Sequence, residues 1–378
     1  MKKHLLIALG VLLSGGAGLA QTKPERMYVG TYSVRGSKGI YVFAFDRKAV
    51  TLTPVQAVDN PKNPSFLAIH PSGRYLYSTD EGAEVGAAKA GTLSAYAIDA
   101  VTGKLTFLNR ESTLGNSPCY VSIDKAGQTA FVANYGGGSM AVLPIRPDGH
   151  LLAATDSVQD AGAGPNTQRQ ERAHAHSAVL SPDNRFVYMA DLGTDRLNIL
   201  AVNSTNHTVS PAKPAVATVK PGSGPRHLVF HPSGKFAYLV EELTSSVAVF
   251  ARNAQTGALT IIEDGVKTLP ASFSGSNTSA DIHIDPSGRF LYQSNRGRNA
   301  LAIFAIGADG RLTSLGDQPT EGKTPRNFLI DPKGEFVFVA NQETDTITIF
   351  RMNKQTGKLT YTGKSVSVPA PVCVLMAR

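Results

Sequence analysis

Short apolar segments separated by polar turns recur along this chain at a nearly constant spacing. An alternating apolar segment, a Pro-Ser-Gly-Arg type turn and a second apolar segment form a phrase with six copies, at residues 64–77, 118–131, 175–188, 225–238, 279–292 and 325–338. The turn residue falls 54, 57, 50, 54 and 46 residues apart, at Gly73, Gly127, Asn184, Gly234, Gly288 and Gly334. A period near fifty built from short β patterns predicts a propeller or another repeat array.

Each repeat predicts four antiparallel strands. The first strand, such as 65–70, meets the tight turn, whose glycine can adopt a positive φ without a Cβ clash. A second strand (75–79) follows, and a polar loop leads to an apolar third strand (92–98). A Thr-Gly-Lys-Leu type turn then leads to a fourth strand. Four such strands make one blade of a propeller.

Six copies predict six blades, and strand-like segments remain at both ends of the chain. Residues 27–33, 39–45 and 52–57 resemble a second, third and fourth strand, while 371–375 resemble the missing first strand. Together they predict a seventh blade that closes the ring and leaves no long open edge. The expected fold is therefore all-β, a seven-bladed β-propeller over residues 27–378.

The same register assigns residues to the two faces of the ring. The turns between strands 1 and 2 and between strands 3 and 4 share one face, which we call the turn face. Because these turns are similar in every repeat, they indicate a structural role, and we expect the same role for His70 and His231 on this face. The 2–3 loops and the connections between blades share the opposite face, which we call the variable face. Because its residues differ from blade to blade, we expect the functional site there.

The first twenty residues have the pattern of a secretory signal peptide. Lys2 and Lys3 precede an apolar run at 5–13, and Gly18-Leu-Ala20 forms a small-residue cleavage site. The run is too short to span a membrane, so we expect a periplasmic or secreted protein without a membrane anchor. Residues 21–26 would form a short leader before the propeller.

The composition describes a folded, turn-rich chain with scattered charge. Hydrophobic residues make up 42% and charged residues 17%, and the formal net charge is +8, or +6 without the two lysines of the signal peptide. No basic cluster of the kind that binds nucleic acid is present, although the excess favours a small anionic substrate. Cys119 and Cys373 fall in different blades, so two buried free thiols are expected. We expect a monomer or a weak dimer.

Titratable side chains concentrate on the variable face, in four neighbouring repeats. They place acid, imidazole and guanidinium groups around one rim of the central channel, as in an active site. By position, one of Glu241 and Glu242 is functional. His174 and His176 are two apart on a strand, but two potential ligands without a third make a weak metal signal, so neither a metal nor a cofactor is expected. The candidates are His174, His176, Asp191, Arg226, His227, Glu242, Asn295, Arg296, Arg326 and Asn341.

Several phrases on this face resemble those of the seven-bladed propeller lactonase family. They are Gly30-Thr-Tyr-Ser33, His174-Ala-His-Ser177, Asp191-Leu-Gly-Thr-Asp-Arg196, Gly224-Pro-Arg-His-Leu228, Glu241-Glu-Leu243 and Ser294-Asn-Arg296, in register over residues 27–378. The family includes 6-phosphogluconolactonase and, in a fungal branch, carboxy-muconate lactonizing enzyme. The resemblance implies catalytic roles for His176, Arg226, Glu242 and Arg296, and Ala-His-Ser favours the bacterial lactonase branch. The other six candidates are expected to bind substrate.

These residue types suit the hydrolysis of a lactone. The reaction needs a positioned water, a base and donors for the developing oxyanion. Glu242 or His176 is the expected base, while Arg226 and Arg296 would hold an anionic group and stabilise charge. No phrase for a serine nucleophile is visible, which favours direct attack by water without a metal.

Two other functions remain open from the sequence. A non-catalytic exported propeller could bind carbohydrate or protein, since residues 337–341 resemble repeats of surface propellers. A muconate-type cycloisomerase is the second alternative. The substrate is also open, because 6-phosphogluconolactone is a cytosolic metabolite whereas this chain carries an export signal.

Overall fold

The protein is built from β-strands that form seven antiparallel sheets of four strands each. The computed structural model describes residues 25–60, 62–86 and 89–377, and these contain 28 strands and no helix. Accordingly, no candidate membrane-spanning helix occurs among the described residues. The predicted signal peptide at 1–20 lies outside them.

The strands follow one another blade by blade along the chain. The N-terminal part of blade 7 contains β1 (Glu25–Thr31), β2 (Gly39–Asp46) and β3 (Thr51–Asp59). Blade 1 contains β4 (Leu67–Ile69), β5 (Tyr75–Val85), β6 (Ala90–Ile98) and β7 (Leu105–Ser112). Blade 2 contains β8 (Pro118–Ile123), β9 (Thr129–Asn134), β10 (Ser139–Pro144) and β11 (Asp156–Gln159).

The next two blades keep the same order. Blade 3 contains β12 (Ala175–Leu180), β13 (Phe186–Asp191), β14 (Arg196–Asn203) and β15 (Thr208–Thr218). Blade 4 contains β16 (Pro225–Phe230), β17 (Phe236–Glu241), β18 (Ser246–Arg252) and β19 (Leu259–Lys267).

The last two complete blades lead into the C-terminal strand. Blade 5 contains β20 (Thr278–Ile284), β21 (Phe290–Arg296), β22 (Ala300–Ile306) and β23 (Leu312–Pro319). Blade 6 contains β24 (Pro325–Ile330), β25 (Phe336–Asn341), β26 (Thr346–Met352) and β27 (Leu359–Ser367), and the chain ends with β28 (Pro371–Met376).

The C-terminal strand closes the ring against the N-terminal strands. β28 pairs antiparallel with β1, and the sheet of blade 7 has the order β28-β1-β2-β3. The first strands of neighbouring blades contact one another around the ring, from β4 through β8, β12, β16, β20, β24 and β28 back to β4. The predicted seven-bladed propeller, with its last blade shared between the two chain ends, is confirmed.

Some predicted boundaries differ from the observed ones. The first strand of blade 1 covers only Leu67–Ile69 instead of 65–70, because the Thr79 hydroxyl accepts the N–H of Phe66 at 3.0 Å. The second strand runs to Val85, well beyond 79, because the hairpin resumes pairing between Val85 and Ala90. β1 begins at Glu25, so the last two residues of the predicted leader belong to the propeller.

The core is divided among the seven blade interfaces. Seven clusters of buried apolar side chains each join two adjacent blades; one, for example, packs Tyr188 of blade 3 against Leu239 of blade 4. Burial of apolar area at about 25 cal/mol per Å² favours this stacking. Both cysteines are buried and free, as predicted.

A repeated hydrogen bond ties neighbouring blades together at the turn face. In five blades a buried tyrosine of the second strand donates its hydroxyl to a glycine carbonyl in the 3–4 turn of the next blade, at 2.6–3.1 Å: Tyr28 to Gly103, Tyr77 to Gly149, Tyr188 to Gly257, Tyr238 to Gly310 and Tyr292 to Gly357. The ring nitrogens of His70 and His231 likewise contact the Gly127 and Gly288 carbonyls of the next blade at 2.9 Å. The repeated turns therefore assemble the ring.

Candidate functional site

In several blades, a β-bulge at the start of the first strand directs one side chain toward the channel. In blade 3, Ala175 pairs with Asp191 and Ser177 with Ala190, so His176 is the extra residue. Cys119 and Arg326 are extra in the same way, and the shift in blade 4 includes Arg226. A bulge redirects the side chain of the residue left out of the ladder. Cys119, His176 and Arg326 line a small cavity on the variable face, and Arg226 lines the pocket that adjoins it.

A polar residue at the end of the second strand supports each neighbouring loop. Six blades carry one, and each is 0% exposed: Asp80, Asn134, Asp191, Glu241, Asn295 and Asn341. Asp191, for example, accepts the backbone N–H groups of His174, Gly193 and Thr194 at 2.8–3.1 Å. Others bond differently to their loops: the side-chain amides of Asn134 and Asn341 donate to the loop carbonyls of Thr113 and Thr320 at 3.0 and 3.2 Å, so the buried polar position ties strand to loop in each case. We call these residues the loop caps.

The residue that directly follows a loop cap projects into the channel mouth. In blade 7, which has no loop cap, the residue at the equivalent position does the same. In five blades this residue lines the site: Tyr32, Glu81, Tyr135, Glu242 and Arg296. Two positions of the repeat, the bulged residue and the residue after the cap, therefore supply most of the site.

These side chains enclose one small cavity on the variable face. Its volume is about 200 Å³, and it is lined by Glu81, Cys119, Tyr135, Arg169, His176, Glu242, Arg296 and Arg326. A narrower adjoining pocket shares several of these residues and adds Tyr32, Ser65, Phe66, Arg226, His227 and Val372. Two larger depressions, of about 580 and 590 Å³, lie between blades at the turn face. There the carboxylates of Asp124 and Asp183 form turn hydrogen bonds, so the smaller cavity holds the convergent chemistry.

Three guanidinium groups surround the carboxylate of Glu242. Arg169 approaches Oε1 at 2.6 Å, while Arg226 and Arg296 approach Oε2 at 3.0 and 3.1 Å. Burial alone would raise the pKa of Glu242, but Arg296, Arg226 and Arg169 outweigh it and lower the pKa to about 2. Glu242 is therefore ionised at neutral pH and fixes the three arginines around itself. We call this group the arginine cage.

His176 faces the cage as a neutral imidazole. Its Nε2 lies 3.9 Å from Oε2 of Glu242, and its Nδ1 lies 3.7 Å from the Cys119 sulfur. Burial, together with Arg226, His227 and Arg326, lowers the pKa of His176 well below 6.5. Cys119 is a neutral thiol, because burial strongly raises its pKa.

Arg326 completes the positive charge of the cavity. Among the described residues it has no ion pair within 4 Å, and its guanidinium lies over the ring of Tyr32, 5.3 Å from the centroid. The cavity and its adjoining pocket together contain four arginines and two glutamates. A cavity with this balance favours an anionic ligand, and a guanidinium can bind carboxylate or phosphate through two hydrogen bonds.

The sequence candidates divide into those that reach the cavity and those that lie beneath it. Glu242, His176, Arg296 and Arg326 line the cavity itself, and Arg226 and His227 line its adjoining pocket. Asp191, Asn295 and Asn341 are loop caps and line neither part of it. His174 stacks on Tyr135 with ring centroids 4.6 Å apart and contacts Glu171 at 3.1 Å, so it supports the rim. His227 is held by Asp281 at 2.8 Å.

Sequence reasoning missed several residues of the site, and Tyr32, Glu81, Tyr135 and Arg169 carry the most chemistry among them. Tyr32, Glu81 and Tyr135 occupy the position that Glu242 occupies in its own repeat, so the register contained a signal for them. Arg169 lies in the irregular connection between blades 2 and 3, where no repeat applies. That connection crosses Gly193 so closely that a Cβ there would lie 1.7 Å from the Arg172 carbonyl oxygen, which only glycine avoids.

Metal binding has no geometric support in the parts of the chain that the structure describes. No group of three or more histidine, cysteine, aspartate or glutamate side chains there could hold an ion. His174 and His176 turn to different partners, Glu171 and Glu242, and therefore do not form a pair of ligands.

The fold and the cavity define a class of protein: a closed β-propeller with a small, arginine-rich site on one face. A model of the family described as "Lactonase, 7-bladed beta-propeller" matches residues 26–376. The chain is 36% identical to a 6-phosphogluconolactonase of Bacillus subtilis over 92% of its length and 97% of the relative's. It is 38% identical to a 6-phosphogluconolactonase of Formosa agariphila over 88% and 94%.

A solved structure gives the same result. The periplasmic gluconolactonase of Pseudomonas aeruginosa superposes with a TM-score of 0.86 at 34% identity, covering 94% of this chain and 99% of that one. This chain belongs to the seven-bladed β-propeller lactonase family. The predicted enzyme class, a lactonase of the carboxylic ester hydrolases, is confirmed, and a small-molecule lactone is the substrate class that follows from it.

Proposed function

We propose that this protein hydrolyses a sugar-derived lactone outside the cytoplasm, by attack of water on the lactone carbonyl. The observation that carries the proposal is the arginine cage beside Arg326 in one small cavity. The cage presents preorganised positive charge, which stabilises an oxyanion as it develops. Neither a metal nor a cofactor is part of the proposal.

The arginines take two different roles. Arg226 and Arg296, held by Glu242, are positioned to stabilise the negative charge that develops on the carbonyl oxygen. Arg326, which has no ion pair within 4 Å in the described part of the chain, is available for an anionic group of the substrate or for the carboxylate of the product. His227 lies beside Arg226, so it supports this part of the site.

The substrate is an aldonolactone, with or without phosphate. A relative of known structure is named as a periplasmic gluconolactonase, and the N-terminal pattern of this chain predicts the same compartment. An unphosphorylated six-membered aldonolactone is therefore the first choice, and 6-phosphogluconolactone is the second. The site holds enough positive charge to accept either one.

A lactone panel tests the function. The mature protein is incubated near pH 6.5 with five- and six-membered aldonolactones and with 6-phosphogluconolactone, and ring opening is followed by proton release above the spontaneous rate. We expect clear acceleration, and a loss of about 100-fold or more in Arg226→Gln, because one preorganised donor contributes that much. The matched control is Arg146→Gln, which changes a largely exposed arginine of the turn face.

The panel also separates the alternatives. A wild-type protein no faster than the spontaneous reaction on every lactone would contradict the proposal and favour a binding protein. Exchange of a proton at a substrate carbon, without net hydrolysis, would instead indicate a cycloisomerase.

A further inference from the structure

Glu81 is a second carboxyl group in the cavity, and its backbone is firmly held. It directly follows the loop cap Asp80, whose carboxylate accepts hydrogen bonds from Asn60, Thr92, Ser94 and Arg110 at 2.6–2.9 Å. Glu81 lines both the cavity and the adjoining pocket. Its side chain is therefore aimed at the space where the substrate of the proposed reaction would sit.

One oxygen of this carboxyl group has no partner. Oε2 of Glu81 is buried and has no hydrogen bond in the described part of the chain. Buried polar atoms are almost always satisfied, so an exception calls for a ligand, a water molecule or a catalytic role. The residue lines a cavity, which makes a bound water or substrate the natural partner of this atom.

The surroundings of Glu81 keep its charge only partly compensated. Burial raises its pKa, while Arg326, the hydroxyls of Ser65 and Tyr32, and Arg226 lower it by less. The titratable and charged groups that share its cavity are Tyr32, Cys119, Tyr135, Arg169, His176, Arg226, His227, Glu242, Arg296 and Arg326. No guanidinium lies within ion-pair distance of Glu81 in the described residues, in contrast to Glu242.

The three carboxyl and imidazole groups that line the cavity itself, Glu81, His176 and Glu242, are thus in different electrostatic states. Three arginines hold Glu242 with a pKa of about 2, and His176 also has a pKa lowered well below 6.5. Both are weak bases. A general base works best when its pKa lies near the operating pH, and two carboxyl groups whose environments push their pKa values apart commonly divide the acid–base roles. Of the two carboxyl groups, Glu81 is the one whose pKa is raised, which is the direction that favours a general base.

We propose that Glu81 is the general base of the lactonase reaction and that Glu242 positions the arginine cage without accepting a proton. The inference rests on the proposed function, and it is carried by the unpartnered Oε2 atom of Glu81 in the wall of the cavity. It replaces Glu242 and His176 as the expected base.

The reaction consumes one water molecule and returns Glu81 to its starting state. The carboxylate of Glu81 takes one proton from water while the water oxygen bonds to the lactone carbonyl carbon, and the carbonyl oxygen becomes an oxyanion beside the arginine cage. The oxyanion collapses, the bond between the carbonyl carbon and the ring oxygen breaks, and the ring oxygen receives the proton from Glu81. The hydroxy acid loses its own proton to solvent, which leaves a carboxylate and an ionised Glu81.

Glu81→Gln tests this role, because it keeps the size of the side chain and removes the base. We expect kcat to fall by about 10²-fold or more, with KM changed by less than about threefold. The pH profile supplies the specific signature. In the wild type, kcat/KM should rise as pH increases through the raised pKa of Glu81, and this limb should be absent from Glu81→Gln. Glu81→Asp should keep the limb at a lower rate. Spontaneous ring opening is subtracted at each pH.

The matched control is Glu84→Gln, which changes an exposed glutamate of the same strand and should behave as the wild type. Loss of the fold is checked by thermal unfolding. Since burial raises the pKa of Glu81, its ionised form disfavours the folded state above its ordinary pKa, so Glu81→Gln should melt no lower than the wild type at pH 8.

Two outcomes would overturn the inference. The first is a Glu81→Gln variant with kcat within about threefold of the wild type. The second is a combination of two results: Glu81→Gln is inactive, and kcat/KM of the wild type does not rise with pH over the acidic range. Either result is read only with an active wild-type protein, so it differs from failure of the proposed function, in which the wild type itself opens no lactone.

Discussion

The turn face and the variable face of this propeller use the same repeat for opposite purposes. On the turn face, the polar groups that recur bind one another across blade interfaces, as the hydroxyl of Tyr188 does with the Gly257 carbonyl at 2.7 Å. On the variable face, four arginines and two glutamates line one cavity and its adjoining pocket, and Oε2 of Glu81 has no partner. The first pattern stabilises the ring, whereas the second leaves groups available to a ligand.

The difference shows how one fold can separate stability from chemistry. A closed ring requires equivalent contacts at each interface, so the turns repeat. A site requires groups that differ, and it tolerates uncompensated charge that would be costly elsewhere. Substitutions on the two faces should therefore affect different measurements, and the following variants test that separation.

The largest effect is expected for Glu242→Gln, which breaks the separation by affecting both properties. Loss of the carboxylate leaves Arg226 and Arg296 buried without their counterion, so the free energy of unfolding at pH 7 should fall by about 3 to 5 kcal/mol. Lactonase activity should fall by about 100-fold, because the arginines lose their positions. Urea unfolding and initial rates measure the two effects, with the exposed Glu84→Gln variant as the control.

The same variant should show a defined pH dependence. The pKa of Glu242 in the folded protein, about 2, lies below its ordinary value of 4.5. Its contribution to stability is therefore complete above about pH 4.5 and is lost as the pH falls toward 2. The stability difference between wild type and Glu242→Gln should shrink over this range. A constant difference would show that Glu242 acts by packing and not by charge.

The second variant, Arg47→Gln, removes an ion-pair network on the turn face and should affect stability without affecting activity. Arg47 of blade 7 pairs with Glu25 of its own blade at 2.6 Å and with Asp331 and Glu335 of blade 6 at 2.8 and 2.7 Å. Without it, three carboxylates face one another, so we expect a loss of about 2 kcal/mol in unfolding free energy, less than for a fully buried pair. The value of kcat/KM should stay within twofold of the wild type. A tenfold fall in kcat/KM at an unchanged melting temperature would contradict the separation of the two faces.

The sequence repeat made the fold predictable, and features that do not repeat account for the boundaries and site residues that were missed. Ring closure followed from strand-like segments at both ends, which β28 and β1 confirm by pairing. The boundaries of β4 and β5 were missed because a side-chain hydroxyl and a resumed hairpin determine them. Neither feature has a sequence period.

The caps show how a polar residue at a site rim can mislead. Asp191, Asn295 and Asn341 were expected to bind substrate, yet each belongs to a position that is polar and fully buried in six blades. A polar residue repeated at one register position indicates structural hydrogen bonding, whereas Glu81 and Glu242, one position later, vary among the blades. Arg169 was unpredictable because the long connection that carries it has no counterpart in the other repeats.

The smallest effect is expected at Asn184, the one residue other than glycine at the 1–2 turn position. Asn184 has a φ of 58°, and the equivalent Gly234 has a φ of 71°. Because asparagine tolerates this left-handed region better than alanine, Asn184→Ala should lose about 1 kcal/mol and Asn184→Gly less than about 0.5 kcal/mol. Activity should stay unchanged in both, since the turn lies on the face opposite the cavity.

Gly234→Ala is the matched comparison for this turn. A Cβ at Gly234 would have no neighbour closer than 3.8 Å, so only backbone strain opposes it. The cost should then be about 1 to 2 kcal/mol, larger than for Asn184→Ala, where the wild-type residue already bears part of the strain. Equal losses measured by urea unfolding would mean that Asn184 holds its turn by contacts of its side chain. Any change in lactone turnover in either variant would show that the turn face and the cavity are coupled through the blade.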